Sequence, residues 1–327
     1  FFLGLNGQGK TNALEAIGLA LDLKSFRTNL KAPMVENGAE QATVRSVWQH
    51  EMRGETTLGI SFTPSRRTAL LDGKNIRSVE EVLGVFPVVS LTLADRELIY
   101  GGPAARRGEI DRLLCQIHPP YYQTLDSYAE ALKARNKLLS EGINNLAERA
   151  GFEAQMLKCA HVMIQARTKV VAKLQDQLIQ VFHTFSPNSE SPRLVYAPQT
   201  PIDALEAAWK SNILDELRRG HTMFGPHRDH VDILFNGELA EEYASEGQKF
   251  SIVLGLKLSG MKLLEERLDI APILVADDLL LELDPQRQEK FWAGVQNWQV
   301  FASGTTPPLS PAGWDIWQVE KGIFTKQ

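Results

Sequence analysis

Hydrophobic and polar positions change period several times along the chain, and each change marks an element. Residues 44–51, 57–63 and 67–71 alternate as half-buried strands do, the last ending at Asp72-Gly73, and predict an antiparallel meander. Residues 121–185 hold no proline and only the glycines Gly142 and Gly151, which predicts two helical stretches folded as an antiparallel hairpin. In the second stretch Met156, Ala160, Met163, Val171, Leu174, Leu178 and Val181 follow three- and four-residue steps, broken once by Arg167. Such a stripe is a face that packs on a partner helix. Residues 186–201, rich in proline and serine, predict a connection. Beyond them 230–235 and 238–243 flank Asn236-Gly237, a hairpin signal, and a helix is predicted from about residue 248 to 266. Ile273-Leu274-Val275-Ala276 and Val300-Phe301-Ala302 predict buried strands. Strands separated by a helix and closing on carboxylates indicate an α/β nucleotide-binding core, here split by an inserted helical lobe. The expected division is a head in two parts, 1–115 and 219–327, around a helical arm lobe, 116–218.

Composition narrows this picture in three ways. With 327 residues, 43% of them hydrophobic, the chain can fill the core of one large domain or two ordinary ones. It has no apolar run near the roughly 20 residues of a membrane span, a secretory leader is not expected, and Cys115 and Cys159 lack metal-ligand spacing. A soluble cytoplasmic protein with no membrane partner is expected. The net charge of −5 leaves nucleic acid to be met by a local basic surface rather than by the whole molecule. Phe1 already stands in the strand predicted to feed the first motif, without an initiator methionine, so preceding residues are expected to be missing.

That motif is Gly4-Leu5-Asn6-Gly7-Gln8-Gly9-Lys10-Thr11, a full P-loop pattern between Phe1-Phe2-Leu3 and the helix-like Asn12-Ala13-Leu14-Glu15-Ala16-Ile17. Glycines let the backbone curl until its N–H groups face phosphates, and the helix start adds its positive dipole end. Asn6, Gly7, Gln8, Gly9, Lys10, Thr11 and Asn12 are therefore candidate nucleotide-binding residues, with ATP and Mg²⁺ the expected cofactors. Lys10 would reach the terminal phosphates in a catalytic role and Thr11 would hold Mg²⁺. A P-loop needs a carboxylate at the end of a neighbouring buried strand, and Asp277-Asp278 supplies it. Asp277 is the second candidate metal ligand and Asp278 the candidate for orienting the attacking water; the plainer alternative is a pair of carboxylates capping a strand end. Adjacent carboxylates repel, so metal binding is expected to be coupled to pH.

Ser245-Glu246-Gly247-Gln248 precedes a predicted helix and fits either a helix cap or an anion-facing segment. Beside the other two motifs it resembles the signature of ABC and SMC-type ATPases, in which one subunit completes the nucleotide site of another. Ser245, Gly247 and Gln248 are then candidate contacts in trans. Further strings are similar to the RecF family of bacterial recombination and DNA gap-repair proteins, in that family's order: the P-loop through Ile17, Ser25-Phe26-Arg27-Thr28, Gly102-Pro103-Ala104-Ala105-Arg106-Arg107 with Ile110-Asp111, Gly225-Pro226-His227-Arg228-Asp229, and Asp277-Asp278 through Glu282-Leu283-Asp284. The resemblance covers nearly the whole chain. It implies an SMC-like head with a helical arm, weak Mg-dependent ATPase activity, an ATP-dependent homodimer, binding to gapped or duplex DNA or its single-strand junctions, and work with RecR, and in some systems RecO, to bring RecA to gaps. The chain departs from the family at Leu281, where a small polar residue is usual, and at His230, where an acidic one often follows Asp229. The family's strands that precede the P-loop are also absent.

From the residues alone, Arg106 and Arg107 fit phosphate, an opposite subunit or surface ion pairs. His227 and Arg228 fit an interface or sensing role, or a packed imidazole and an ion pair with Asp229. Ser303 is a candidate γ-phosphate sensor, and Asp284 a candidate interface residue. Arg66, Arg67, Lys133, Arg135 and Lys137 join Arg106 and Arg107 as candidate DNA contacts, against the plainer reading of solvated faces. The leading expectation is an ATP-controlled DNA clamp. The alternative is a structural or interaction head that binds nucleotide with little turnover. A nuclease of the overcoming-lysogenization type would need a metal-binding domain for which no residues remain, and the long helical lobe argues against a transporter ATPase.

Overall fold

In the computed structural model, which describes residues 1–27, 34–63, 65–143, 145–185, 191–278, 285–308 and 313–327, the chain opens with the strand, turn and helix that a P-loop requires. Strand β1 (Phe2–Leu3) feeds helix α1 (Lys10–Asp22). The meander follows as β2 (Ala42–His50), β3 (Gly54–Phe62) and β4 (Arg67–Leu71), with a fourth short strand, β5 (Lys74–Asn75), added across the Asp72-Gly73 turn. Strand β3 buries alternate residues, Leu58, Ile60 and Phe62, in one core with Leu14, Leu19 and Leu21 of α1. Strand β6 (Val88–Leu91), absent from the sequence expectation, closes this segment.

Two units emerge from the chain: Phe1–Arg96, Val181–Asn188 and Glu246–Gln327 form one, and Glu97–Gln180 with Ser189–Ser245 the other. The second takes in residues 97–115 and 219–245, which the sequence had placed with the head. Its elements are α2 (Glu97–Tyr100), α3 (Pro103–Ile117), α4 (Pro120–Ser140), α5 (Leu146–Phe185) as far as Gln180, β7 (Pro192–Ala197), α6 (Leu205–Ser211), α7 (Ile213–Arg219), β8 (His230–Phe235), β9 (Glu238–Leu239) and α8 (Ala240–Tyr243). The reason for the wider boundary is pairing: β7 lies antiparallel to β8 over six residue pairs, and α3 packs on both β8 and α4. Gly142 (φ 71°) ends the first long helix as expected, but Gly151 lies inside α5. One interior glycine costs about 1 kcal/mol, too little to break a helix of 40 residues with a buried stripe. The expected 238–243 strand is also shorter, because Ala240-Glu241-Glu242 turns into α8 after two paired residues.

The chain then returns to the first unit with α9 (Glu246–Leu268), β10 (Ile273–Ala276), α10 (Pro285–Val295), β11 (Gln299–Gly304), β12 (Trp317–Glu320) and β13 (Ile323–Lys326). The six-stranded sheet has the order β13-β12-β1-β11-β10-β6, parallel except for β13. All four residues of β10 are buried, as expected of an interior parallel strand covered on both faces. The carboxyl ends of β1, β11 and β10 therefore come together, and this is where an open α/β sheet places its ligand.

Candidate nucleotide-binding site

Gly7 (φ 79°) and Gly9 (φ 104°) occupy backbone conformations that side chains resist, and they turn the chain from β1 into the N-terminus of α1. Lys10 is 3% exposed; its Nζ donates to the carbonyls of Gly4 (2.8 Å) and Leu5 (3.1 Å) and stands 3.9 Å from Asp278 Oδ1. Thr11 Oγ1 donates to Asp277 Oδ1 at 3.1 Å. Ser303, at the end of β11 and 1% exposed, donates its hydroxyl to Asp277 Oδ1 (2.8 Å) and accepts from the Asp278 N–H (3.0 Å). Asp278 itself has φ +47°. Five side chains drawn from three distant segments thus converge on one end of the sheet.

Burial pushes the Asp277 carboxyl above its ordinary range; the Ser303 and Thr11 hydrogen bonds oppose this, and the Asp278 charge adds to it. The paired oxygens of Thr11 and Asp277 are hard donors of the kind Mg²⁺ uses, and Mg²⁺ commonly takes only one or two protein ligands, leaving the rest to water and phosphate. The residues fit the cofactor on that chemistry. Gln8 fastens the loop to the β12–β13 turn, its carbonyl accepting from Gly322 N (2.9 Å) and its Oε1 from Lys321 N (2.8 Å). Arg27 had no individual role in the sequence expectation. It reaches Asn12 Oδ1 and Glu15 Oε2, each at 3.0 Å, and adds positive charge near Asp277.

Ser245 precedes the first residue of α9, with Gly247 and Gln248 in its first turn. Arg287 Nη1 lies 2.7 Å from where a Cβ on Gly247 would be, so glycine admits a guanidinium beside the start of α9. Asp284 and Leu281 lie outside the described residues. The basic candidates separate sharply. Arg66, Arg67, Lys133 and Lys137 are exposed. Arg106 caps the carbonyls of Leu98, Ile99 and Gly101, and Arg107 donates to the carbonyl of Asp229 at 2.5 Å. Arg135 is corrected: it is 0% exposed, donating to Glu153 (2.9 Å), Thr222 (2.8 Å) and Glu216 (2.7 Å), and a buried guanidinium committed to two carboxylates cannot meet DNA.

The Gly225-to-Asp229 string forms an interior junction of the second unit. Arg167, the break in the α5 stripe, donates to Asp111 (2.8 and 2.9 Å), to the Pro226 carbonyl (2.7 Å) and to Asp229 (3.4 Å). Asp229 therefore pairs with Arg167, while Arg228 is exposed. His227 Nδ1 meets the Tyr128 hydroxyl at 2.8 Å and Nε2 lies 3.2 Å from the Thr222 carbonyl. Burial pushes its pKa down to about 4, so the ring is neutral at pH 7, donating from Nε2 and accepting at Nδ1. An unfolded histidine binds a proton near pH 6.5 that the folded one refuses, so the stability present above pH 6.5 is lost as pH falls toward 4. That loss is expected to be roughly 3 kcal/mol across the window. His227→Gln should flatten this part of the profile, read as denaturation midpoints of both proteins from pH 7 to 4; parallel profiles would refute it.

The fold and site define a P-loop ATPase head of the SMC type. An Smc head bound to the C-winged helix domain of ScpA matches with a TM-score of 0.57 at 16% identity, covering 100% of this chain and 88% of that one, which supports the fold alone. The chain belongs to the RecF family: it is 33% identical over 350 residues to the DNA replication and repair protein RecF of Rippkaea orientalis, covering 98% of this chain and 91% of the relative. The RecF of Acaryochloris marina is 32% identical over 311 residues, covering 90% and 83%. A structure of the recombination mediator protein RecF-ATP in the RecFOR pathway matches with a TM-score of 0.92 at 27% identity, covering 100% and 90%. No family model matches the chain. No helix among the described residues is long and apolar enough to cross a membrane.

Proposed function

We propose that the chain is an ATP-controlled DNA clamp of recombinational gap repair, closing as a dimer on gapped or duplex DNA and helping RecR and RecO to bring RecA to the gap. The observation that carries this is the convergence of Lys10, Thr11, Asp277 and Asp278 at one end of the sheet. Lys10 would turn from the Gly4 and Leu5 carbonyls to the terminal phosphates, and Thr11 and Asp277 would hold Mg²⁺, which supplies charge neutralisation at the phosphate oxygens. Asp278 would orient the attacking water, and slow hydrolysis would reset the clamp. The Ser245-Gly247-Gln248 end of α9 would meet the partner's nucleotide. Closure follows only because these contacts exist in the closed state and not in the open one, which is the condition for ATP to shift the population.

The test is the mass in solution with Mg²⁺, with and without ATP, alongside gapped-duplex binding under both conditions. Doubling of mass together with tighter DNA binding is the expected result. ATP binding with neither change would replace the clamp by an interaction head.

A further inference from the structure

Between β4 and β5 and the 3₁₀ turn at Val79–Glu81, the first unit holds an open cleft of about 470 Å³. It is lined by Arg66, Arg67 and Arg77, by the polar Thr68, Asn75 and Ser78 and by the apolar Ala69, Ile76 and Val79, with no acidic residue among the described residues that line it. In a chain of net charge −5, this is a local excess of positive charge. The three arginines are exposed, yet one is fixed: Arg67 Nη1 donates to the carbonyl of Leu23 at 2.5 Å, at the C-terminal cap of α1. A cation there is favoured by the negative end of the helix dipole, and a guanidinium has five N–H donors, so one bond to a carbonyl leaves the others to face the cleft. Glu80 and Glu81, which follow Ser78, are engaged in capping the 3₁₀ turn: Glu81 accepts from the backbone N–H groups of Arg77 and Ser78, and Glu80 from the Ser78 hydroxyl.

We propose that this cleft binds phosphate through Arg66, Arg67 and Arg77, and that it takes the phosphodiesters of a nucleic-acid backbone. Guanidiniums match phosphate oxygens in pairs, which explains arginine at all three positions. The cleft has the volume of a ligand site rather than of a single ion. Its openness to solvent suits a continuous strand passing across it, and it would give an acidic protein the local basic surface that backbone binding demands. Arg67 also joins the cleft to the far end of the helix that begins at Lys10, so phosphate bound here would bear directly on the P-loop helix. The choice of backbone over free phosphate rests on the DNA-binding reading above; the phosphate site does not.

The experiment compares the full chain with its Arg66→Gln, Arg77→Gln double variant, both positions being exposed and Arg67 being kept to cap α1. The P-loop is first saturated with nucleotide, so that inorganic pyrophosphate measured by calorimetry reports the cleft alone. Duplex binding is then measured over a salt series. The expected result is loss of pyrophosphate binding and a salt slope less steep by about 1.8, which is 0.9 for each of two phosphate contacts, with nucleotide affinity unchanged. Loss of pyrophosphate binding with an unchanged DNA slope would keep the phosphate site and overturn the backbone as its ligand. No change in either measurement would overturn the proposal, and so would the absence of pyrophosphate binding by the unaltered chain. If the unaltered chain binds no DNA, the clamp reading fails, while the pyrophosphate comparison still decides the cleft. Charge reversal, Arg77→Glu alone, gives the same readouts with a single change.

Discussion

Lys10→Ala is expected to abolish nucleotide-dependent closure and to lower ATP turnover on the order of 10²–10³-fold while leaving the fold intact. The lysine is the cation buried beside the turn that α1 grows from, and its Nζ is already positioned at the mouth of that turn, 2.8 Å from one carbonyl and 3.1 Å from another. Removing it frees two carbonyls: water can replace the lost donor at Leu5, which is 73% exposed, whereas the Gly4 carbonyl is buried and its loss costs about 1–3 kcal/mol. The functional cost is large, because a phosphate chain drawn into this site would lose its opposing charge where Asp278, 3.9 Å from Nζ, supplies only repulsion. Arginine should not substitute, since its planar fork cannot fit the space of a compact ammonium that is 3% exposed. Phosphate release and solution mass with ATP read both effects. ATP-induced dimers persisting in the alanine variant would refute the assignment of Lys10 and with it the coupling of this loop to closure.

The two motifs of this site were legible because each is tied to a local conformation. Gly7 and Gly9 encode a turn that few sequences can make, and β10, bounded by Pro272 and Asp277, matches its predicted span of 273–276. Their meeting was inferable from chemistry alone. Strand β6 was not legible: Val88-Val89-Ser90-Leu91 is four residues long, and what makes it a strand is parallel pairing with β10, far along the chain, from Val88↔Ile273 to Leu91↔Ala276. Strand β7 was hidden by its neighbours, since the proline and serine content of 186–201 outweighed Arg193-Leu194-Val195-Tyr196 until β8 paired with it. Charged residues on apolar stripes were misjudged for a different reason. Arg167 interrupts the α5 stripe, and its partners Asp111 and Asp229 lie 56 and 62 positions away. A break in a stripe is the only local sign of such a junction.

Arg135 carries the same lesson and the largest expected loss of stability. On α4 the buried positions are Tyr121, Tyr128, Ala131, Arg135 and Leu139, so Arg135 stands on the helix's inner face at the three- and four-residue spacing, whereas Lys133 and Lys137 fall on the outer one. Its guanidinium reaches Glu153, Thr222 and Glu216 and stacks 5.5 Å from the centre of the Trp209 ring. Glu216 is itself 0% exposed; its second oxygen accepts from Met223 N at 2.7 Å. Arg135→Ala would therefore strand a buried carboxylate and empty the space beside a buried indole, a loss of about 3–5 kcal/mol. Arg135→Met combined with Glu216→Gln should recover much of it, because an uncharged, well-filled pair avoids the stranded charge while the new amide oxygen can still accept from the Met223 N–H. Thermal midpoints of the three proteins measure this directly, and the salt slope of DNA binding should be identical in all of them. A stable Arg135→Ala protein with weakened DNA binding would return this residue to the surface and contradict the packing of α4 against α7.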